Sequence, residues 1–284
     1  EFQDGIWFVP LLEDDAAPTP RLERLRARQL LLESIAAALR LPAALSLLDY
    51  LADRQLLLIL DNFEPFTAAG DLIVELLQRA PQVKVWVTSR QRLKYQAEHV
   101  YQVGGLEVPE AADVADAASY SCVQLFAERA ARLAADFWLD AETLPEVVRL
   151  CQQVEGNPLA IELATVWVGQ FELSQILDAL QQDIDQLATT MWDLPGRQRS
   201  MRAVFEHSWH LLPASEQALL TRLTLFQGGF SEAAAQAVAE ATPAQLAGLC
   251  ERFLLRCGPE GRYEIQHLLR QYIAEKERIA SLDG

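Results

Sequence analysis

The stretch Leu56-Leu57-Leu58-Ile59-Leu60-Asp61-Asn62-Phe63-Glu64 is an apolar run that ends in two carboxylates. An uninterrupted apolar run of this length predicts a strand of a parallel sheet, because such strands are buried on both faces. Ligands of open α/β sheets bind at the carboxyl ends of these strands. Asp61 is therefore suited to hold the Mg²⁺ of a bound nucleotide, and Glu64 to orient a water molecule. The alternative is a buried strand that ends in an Asp-containing turn.

Strand and helix patterns alternate on both sides of this run. The strand-like runs are at residues 6–9, 83–88 and 100–103, and the helical patterns are at 21–41, 43–52 and 70–80. This alternation predicts a parallel sheet that helices cover on both faces. Thr88-Ser89-Arg90 follows the strand at 83–88, so we expect Arg90 at the same edge as Asp61, where its guanidinium can reach a terminal phosphate.

The rest of the chain is predominantly helical. Helical segments are predicted at residues 121–133, 144–154, 158–168 and 173–187, and again at 201–212, 214–223, 231–239, 243–249 and 267–279. A hairpin signature surrounds Gly258-Pro259-Glu260-Gly261, and Asp193-Leu194-Pro195-Gly196 forms a linker. The fold class is therefore α/β plus all-α, with three domains: an α/β domain over 1–108, a helical bundle over 109–192 and a winged helix over 193–284.

Composition and charge exclude several classes of protein. The chain is 51% hydrophobic and 23% charged, which is typical of a globular protein. Residues 196–284 hold equal numbers of acidic and basic side chains, so residues 1–195 carry the whole net charge of −16. Such an acidic body disfavours broad contact with nucleic acid or an anionic membrane. No apolar run approaches the roughly 18 residues that span a bilayer, and no signal peptide is recognisable. The four cysteines, at positions 122, 151, 250 and 257, include no CxxC pair, so we expect buried free thiols in a reducing cytoplasm.

Four motifs, in their order along the chain, resemble the nucleotide-binding core of the signal-transduction ATPases with numerous domains (STAND). This is the NB-ARC or AP-ATPase class, and the similarity is strongest to bacterial members associated with transcriptional regulators. The motifs are Leu56–Glu64, Thr88-Ser89-Arg90, Gly156-Asn157-Pro158-Leu159 and the stretch from Tyr263 to Arg270. The resemblance covers essentially the whole chain. It implies that Asp61 is the Walker B acid, Arg90 the first sensor arginine, Pro158 the proline beside adenine and His267 the histidine that contacts the diphosphate of ADP.

The chain departs from the family pattern at three places. Asn62 stands where many relatives have a second Asp, and Leu268 replaces an Asp that follows the histidine. A P-loop requires Gly-Lys-Ser/Thr, but none of the three lysines follows a glycine. Family members carry the P-loop strand and helix just ahead of the strand at 6–9. The chain is therefore either a portion of a longer product or a truncated or degenerate relative, and the absence of an initiator Met favours the first. We expect that it does not hydrolyse ATP alone and needs the P-loop to bind ATP or ADP with Mg²⁺.

The resemblance implies a switch that ADP closes and ATP opens, controlling assembly or a linked output domain. Two alternatives stay open: a DNA-binding winged-helix transcriptional regulator, and a scaffold that does not depend on nucleotide. DNA contact through this segment is disfavoured, because the helices at 231–239 and 243–249 contain no Lys or Arg. Expected partners are other domains of a longer parent, or a second copy that pairs with sheet edges left open near residues 91–108. For His267 the alternative role is in capping or packing the last helix.

Overall fold

The computed structural model describes residues 2–11, 20–42, 45–110, 116–182, 184–189, 199–210, 212–252, 254–258 and 261–282. Contacts divide the chain into two units, Glu1–Val100 and Tyr101–Gly284. Within the described ranges, no helix combines the length and the apolar character needed to cross a membrane. The predicted linker at 193–196 lies outside the described residues.

The first unit is built on a parallel sheet of three strands, β1 (Ile6–Pro10), β2 (Leu57–Asp61) and β3 (Lys84–Val87), in the order β1-β2-β3. The predicted strands at 6–9, 56–61 and 83–88 are thereby confirmed. Phe8 lies opposite Ile59, and Ile59 lies opposite Trp86. Side chains alternate between the two faces of a strand, so these three residues share one face of the sheet.

Helices cover the opposite face of this sheet. They are α1 (Pro20–Ala38), α2 (Leu47–Leu51) and α3 (Asp71–Arg79). Val9, Leu58 and Leu60 from the strands form one core with apolar side chains of α1 and α3, among them Leu31, Ile35, Leu72 and Leu76. In α3 the buried residues Leu72, Ile73 and Leu76 recur at helical spacing, so one side of the helix faces the core.

Two expectations for the first unit are wrong. Helices do not cover both faces within the described residues, because Ile6, Phe8 and Trp86 are 62%, 57% and 62% exposed. Residues 100–103 form no strand. A strand requires hydrogen bonds to a neighbouring strand. In the described sheet β3 pairs with β2 alone, and no strand of this sheet pairs with residues 100–103.

The second unit begins with the predicted bundle. Its helices are α4 (Ser121–Leu133), α5 (Leu144–Gln153), α6 (Pro158–Thr165) and α7 (Leu173–Gln182), which confirms the four predicted segments. Their apolar stripes meet in a core that includes Cys122, Phe126, Leu150 and Ile161. The Asn157 side chain accepts a hydrogen bond from the Ala160 amide and caps α6, with Pro158 at its first helical position.

The C-terminal module, residues 199–282, continues the same core. It contains α8 (Met201–His210), α9 (Ala214–Leu223), α10 (Glu232–Ala239), α11 (Pro243–Glu251) and α12 (His267–Leu282). A small antiparallel sheet has the order β4 (Phe230–Ser231), β6 (Arg262–Glu264) and β5 (Arg256–Cys257). The predicted hairpin is confirmed, and β4 is an additional strand. Because β5 is an edge strand, Cys257 is an exposed thiol and not a buried one.

Candidate functional site

The carboxyl ends of β2 and β3 bring together Asp61, Glu64, Thr88 and Arg90, which we call the acidic edge. The Thr88 hydroxyl donates to Asp61 Oδ1 at 2.6 Å and accepts the Asn62 amide at 3.0 Å. Asn62 takes a left-handed backbone with φ 66°, a conformation that Asn tolerates better than most residues. Thr88 therefore holds the Asp61 carboxylate and the turn that follows it in place.

Glu64 is the buried member of the acidic edge, with 8% of its side chain exposed. Its Oε1 accepts the backbone amide of Arg90 at 2.6 Å and lies 3.9 Å from Arg90 Nε. Its Oε2 is buried and has no hydrogen-bond partner among the described residues. Burying a carboxylate oxygen without a partner is costly, so the arrangement has an acceptor left to satisfy.

The chemistry of these groups suits a divalent cation bound together with phosphate. Carboxylate oxygens are hard ligands of the kind that Mg²⁺ prefers, and a guanidinium beside them pairs with phosphate oxygens. The described residues contain no group of three or more His, Cys, Asp or Glu side chains arranged to hold a metal ion. Coordination of Mg²⁺ by Asp61 through a nucleotide stays a prediction. The structure does bring the three candidates Asp61, Glu64 and Arg90 to one edge.

In the second unit, Glu155 links the loop before Pro158 to the start of α12. The backbone amide of His267 donates to Glu155 Oε1 at 2.7 Å. On the same carboxylate, Oε2 lies 2.9 Å from Arg256 Nη1 of β5. His267 thus begins a helix whose first amide already has an anionic acceptor, from a residue 112 positions earlier. Pro158 itself is exposed, three residues after Glu155.

The backbone around Glu155 packs tightly against residues 105–106. Glu155 and Gly156 both have positive φ, 52° and 65°, and the Leu106 amide donates to the Gly156 carbonyl at 2.8 Å. A Cβ on Gly156 would lie 2.1 Å from the Leu106 carbonyl oxygen, and a Cβ on Gly105 would lie 2.5 Å from the backbone carbonyl oxygen of Glu155. Both positions therefore require glycine. The Glu155–Gly156 turn is locked to the segment that opens the second unit.

Two open cavities meet at Glu155. One of about 720 Å³ is lined by residues of α5 and α7 and by His267. The other, of about 410 Å³, is lined by Gly105, Leu106 and Arg256 among others. Glu155 and Gln152 line both cavities, whereas Pro158 is not among the lining residues of either.

Three contributors were not predicted from the sequence. Thr88 is the hydrogen-bond partner of Asp61, and Glu155 and Arg256 form an ion pair at the start of α12. The position of Thr88 at the end of a strand beside Asp61 is a signal that could have indicated the first contact. No local pattern indicates the contact between Glu155 and His267, because it depends on how the bundle and the C-terminal module pack.

Comparison with known proteins gives relatives in the mycobacteria, while no protein-family model matches the chain. A Mycobacterium tuberculosis protein named as a candidate HTH-type transcriptional regulator is 31% identical over 242 residues, covering 81% of this chain and 26% of that protein. An uncharacterised protein of the same species is 30% identical over 261 residues, covering 86% of this chain and 64% of its own length. The chain thus spans about a quarter of the first relative and less than two thirds of the second.

Among solved structures, the Walker-type ATPase of Pyrococcus abyssi matches 95% of this chain and 84% of its own. The TM-score is 0.57 and the sequence identity is 12%. At that identity the match concerns the fold. The chain therefore shares its fold with a Walker-type ATPase, and its acidic edge lies on the small parallel sheet of that fold.

Proposed function

We propose that this chain is the core of a nucleotide-controlled switch of the STAND class, closed with ADP and open with ATP, that regulates assembly or a linked output domain. The observation that carries the proposal is the acidic edge at the strand ends of a Walker-type ATPase fold. There Asp61 is hydrogen-bonded to Thr88, and Glu64 is hydrogen-bonded to the backbone amide of Arg90. Strand ends of this kind are where open α/β sheets bind ligands.

Each side chain of the acidic edge has a distinct role in this proposal. Asp61 holds Mg²⁺ together with the nucleotide, and Thr88 keeps the Asp61 carboxylate oriented. Glu64 orients a water molecule through Oε2, for which the described part of the chain supplies no hydrogen-bond partner. Arg90, whose backbone Glu64 holds, pairs with the terminal phosphate. Mg²⁺, when bound, neutralises phosphate charge.

The second unit supplies the remaining contacts in the proposal. Pro158 packs beside adenine, and His267 contacts the diphosphate at the N-terminus of α12, where backbone amides favour anions. The antiparallel sheet β4-β6-β5 together with α8–α12 is interpreted as a winged helix that moves when nucleotide changes. Three domains, 1–108, 109–192 and 193–284, are proposed on this basis.

Regulation of transcription is the biological setting that the name of the 31% identical relative supports. Direct DNA contact by residues 201–282 has less support. Several of its basic side chains already form internal ion pairs: Arg222 with Glu240, Arg252 with Glu216 and Arg256 with Glu155. We therefore place DNA binding, if the parent protein has it, outside this segment, and propose other domains of a longer parent or a second copy as partners.

The test compares nucleotide binding by this chain with binding by the full gene product that contains it. ADP and ATP affinities are measured by calorimetry with and without Mg²⁺, and phosphate release is followed in parallel. Asp61→Asn is the test variant, and Asp49→Asn on α2, an exposed carboxylate of the same unit, is the matched control. We expect the full product to bind ADP, with a Mg²⁺ dependence that Asp61→Asn removes and Asp49→Asn keeps.

For the 284 residues alone we expect no phosphate release that depends on Asp61, because no Gly-Lys-Ser/Thr is present to cradle the phosphates. A full product that binds neither ADP nor ATP would contradict the switch and favour the nucleotide-independent scaffold. Equal Mg²⁺ dependence in Asp61→Asn and the natural protein would remove Asp61 from the site.

A further inference from the structure

Three large apolar side chains of the second unit are exposed beside one contact between two segments. Leu133 at the end of α4 is 46% exposed, Trp138 in the following segment is 74% exposed, and Phe171 before α7 is 48% exposed. The two segments meet where a Cβ on Gly169 would lie 3.1 Å from the Ala134 Cβ. All three side chains belong to residues within four positions of that contact, and we call them the apolar patch.

The exposed Trp138 is carried by a backbone that its neighbours hold in place. The Thr143 hydroxyl donates to the Trp138 carbonyl at 3.0 Å and accepts the Asp140 amide at 2.9 Å. Asp140 Oδ1 in turn accepts the amides of Glu142 and Thr143, each at 2.9 Å. On the other side of Trp138, Phe137 packs against the core of the unit. A tryptophan held in this way loses little conformational freedom when a partner covers it, so it suits the role of an anchor.

The charge of the bundle around the apolar patch is strongly negative. Residues 116–182 contain ten Asp or Glu residues against three Arg and no Lys. Two of these arginines are already engaged within the bundle. Arg129 lies 2.7 Å from Glu162, and Arg132 forms an ion pair with Glu128. The bundle therefore has a large excess of carboxylates that its own cations do not neutralise.

Three of these carboxylates are exposed on the two segments that carry the apolar patch. Asp136 lies two residues before Trp138, and Glu142 four residues after it, while Glu172 follows Phe171. None of the three forms an ion pair within the described part of the chain. The apolar patch thus has an acidic rim.

This combination fits a partner that is apolar and basic at once. Lys or Arg side chains of the partner can meet the rim carboxylates, and a cation can also lie over the ring of Trp138. A second copy of this chain would bring the same carboxylates to the contact, and a nucleic acid or an anionic membrane would bring phosphates. Like charges repel, so the acidic rim disfavours all three of these occupants.

We propose that the apolar patch docks a basic amphipathic helix of a partner protein. Such a helix presents apolar side chains three and four residues apart, with Lys or Arg beside them. Trp138 is the anchor of the contact, and the rim carboxylates orient the basic side chains. The patch shares no residue with the acidic edge or with His267, so docking goes beyond the proposed nucleotide switch and requires no nucleotide.

The first measurement uses a synthetic helical peptide as the probe. It contains only Leu and Lys, has about 18 residues with Leu at helical spacing, and carries a fluorescent label. Its binding to this chain is followed by fluorescence anisotropy in about 50 mM salt, where charge pairs are weakly screened. Trp138→Ala should weaken binding about tenfold, as expected for an anchor residue. Leu225→Ala, at a side chain 69% exposed elsewhere in the second unit, is the control and should keep the natural affinity.

The second measurement tests the acidic rim at constant net charge. The triple variant Asp136→Asn, Glu142→Gln and Glu172→Gln should weaken peptide binding about threefold to tenfold and reduce its dependence on salt. The control variant replaces three exposed carboxylates elsewhere in the second unit by amides: Glu107→Gln, Glu232→Gln and Glu264→Gln. Because both triple variants have the same net charge, the control should retain more of the affinity. A peptide with Glu in place of every Lys should bind at least about tenfold more weakly than the Leu/Lys peptide.

Several results would overturn the docking of a basic helix. Natural affinity in Trp138→Ala, or equal losses in the two triple variants, would show that the peptide does not bind at the apolar patch. Equal binding of the Leu/Lys and Leu/Glu peptides would show that the partner need not be basic. Dissociation of a dimer by Trp138→Ala in sedimentation would assign the patch to a second copy, and binding to phosphatidylserine vesicles that Trp138→Ala abolishes would assign it to a membrane.

Discussion

Glu64 lies at the acidic edge with one carboxylate oxygen bonded to the Arg90 amide and the other without a partner among the described residues. Glu98 differs in this respect, because its two oxygens accept the amides of Leu93 and Lys94, each at 2.9 Å. A glutamine can replace one acceptor oxygen but not two. Substitution by glutamine should therefore cost Glu98 a hydrogen bond that Glu64 does not make with the described residues, so the two positions can be compared directly.

We expect Glu64→Gln to keep or raise the free energy of unfolding, because the amide retains an acceptor for Arg90 and carries no charge that must be buried. Glu64→Ala should lower the free energy of unfolding by about 1–3 kcal/mol, since the Arg90 amide loses its acceptor. Glu98→Gln should lower it by about 0.5–1.5 kcal/mol. Urea unfolding curves of the three variants test this. Equal losses in Glu64→Gln and Glu98→Gln would mean that Glu64 Oε2 has a partner.

At the scale of elements, α12 is joined to α8 by a buried polar group. Tyr272 is fully buried, and its hydroxyl donates to Glu206 Oε2 at 2.5 Å. Lys276 donates to the other oxygen of Glu206 at 2.7 Å. Burial, and then the hydrogen bond to Glu206, raise the pKa of Tyr272 well above its ordinary value of 10. The contact between the helices therefore requires a protonated phenol.

The stability that Tyr272 contributes should depend on pH in the alkaline range. The folded state retains the phenol proton at pH values where the unfolded chain has lost it, so stability is complete below pH 10 and falls as pH rises further. Tyr272→Phe should make this alkaline loss smaller, while lowering the free energy of unfolding at pH 7 by about 1.5–3 kcal/mol. Thermal melts from pH 7 to 11 measure both effects. Tyr101→Phe, at a side chain 84% exposed, is the control and should retain the natural profile.

For the whole molecule, the uncovered face of the first unit favours association. Ile6, Phe8 and Trp86 are exposed on one face of the parallel sheet, and in the described sheet β3 pairs on one edge alone. Exposed apolar strands with an open edge tend to pair with other chains. This is the structural basis for proposing a second copy, or another domain of a longer parent, as a partner of this face.

We expect concentration-dependent self-association of the 284-residue chain, weakened by Trp86→Lys because the substitution places a charge on the apolar face. Trp138→Lys is the control, since Trp138 is 74% exposed in an irregular segment of the second unit. Sedimentation velocity over a dilution series measures the association. A chain that stays monomeric at every concentration, or an equal response to both substitutions, would contradict an interface on the sheet.

Local signals in the sequence determined most of the elements of this protein. The apolar run before Asp61 predicted β2, helical periodicity predicted the four helices of the bundle, and glycines 258 and 261 indicated the hairpin of β5 and β6. These features follow from neighbours within a few residues, because burial pattern and turn chemistry repeat with the period of the element. The same local signals placed Asp61 and Arg90 at the ends of parallel strands, which the structure brings to one edge.

Only the tertiary structure determines which elements pack against each other and which of their faces are exposed. Trp86 has the pattern of a core residue but is exposed, because the described helices pack on the other face of the sheet. Residues 100–103 have the composition of a strand but form none, because no strand pairs with them. Glu155 meets His267 across 112 residues through the packing of the bundle against the C-terminal module. Such contacts depend on how distant segments pack, and no local pattern encodes that packing.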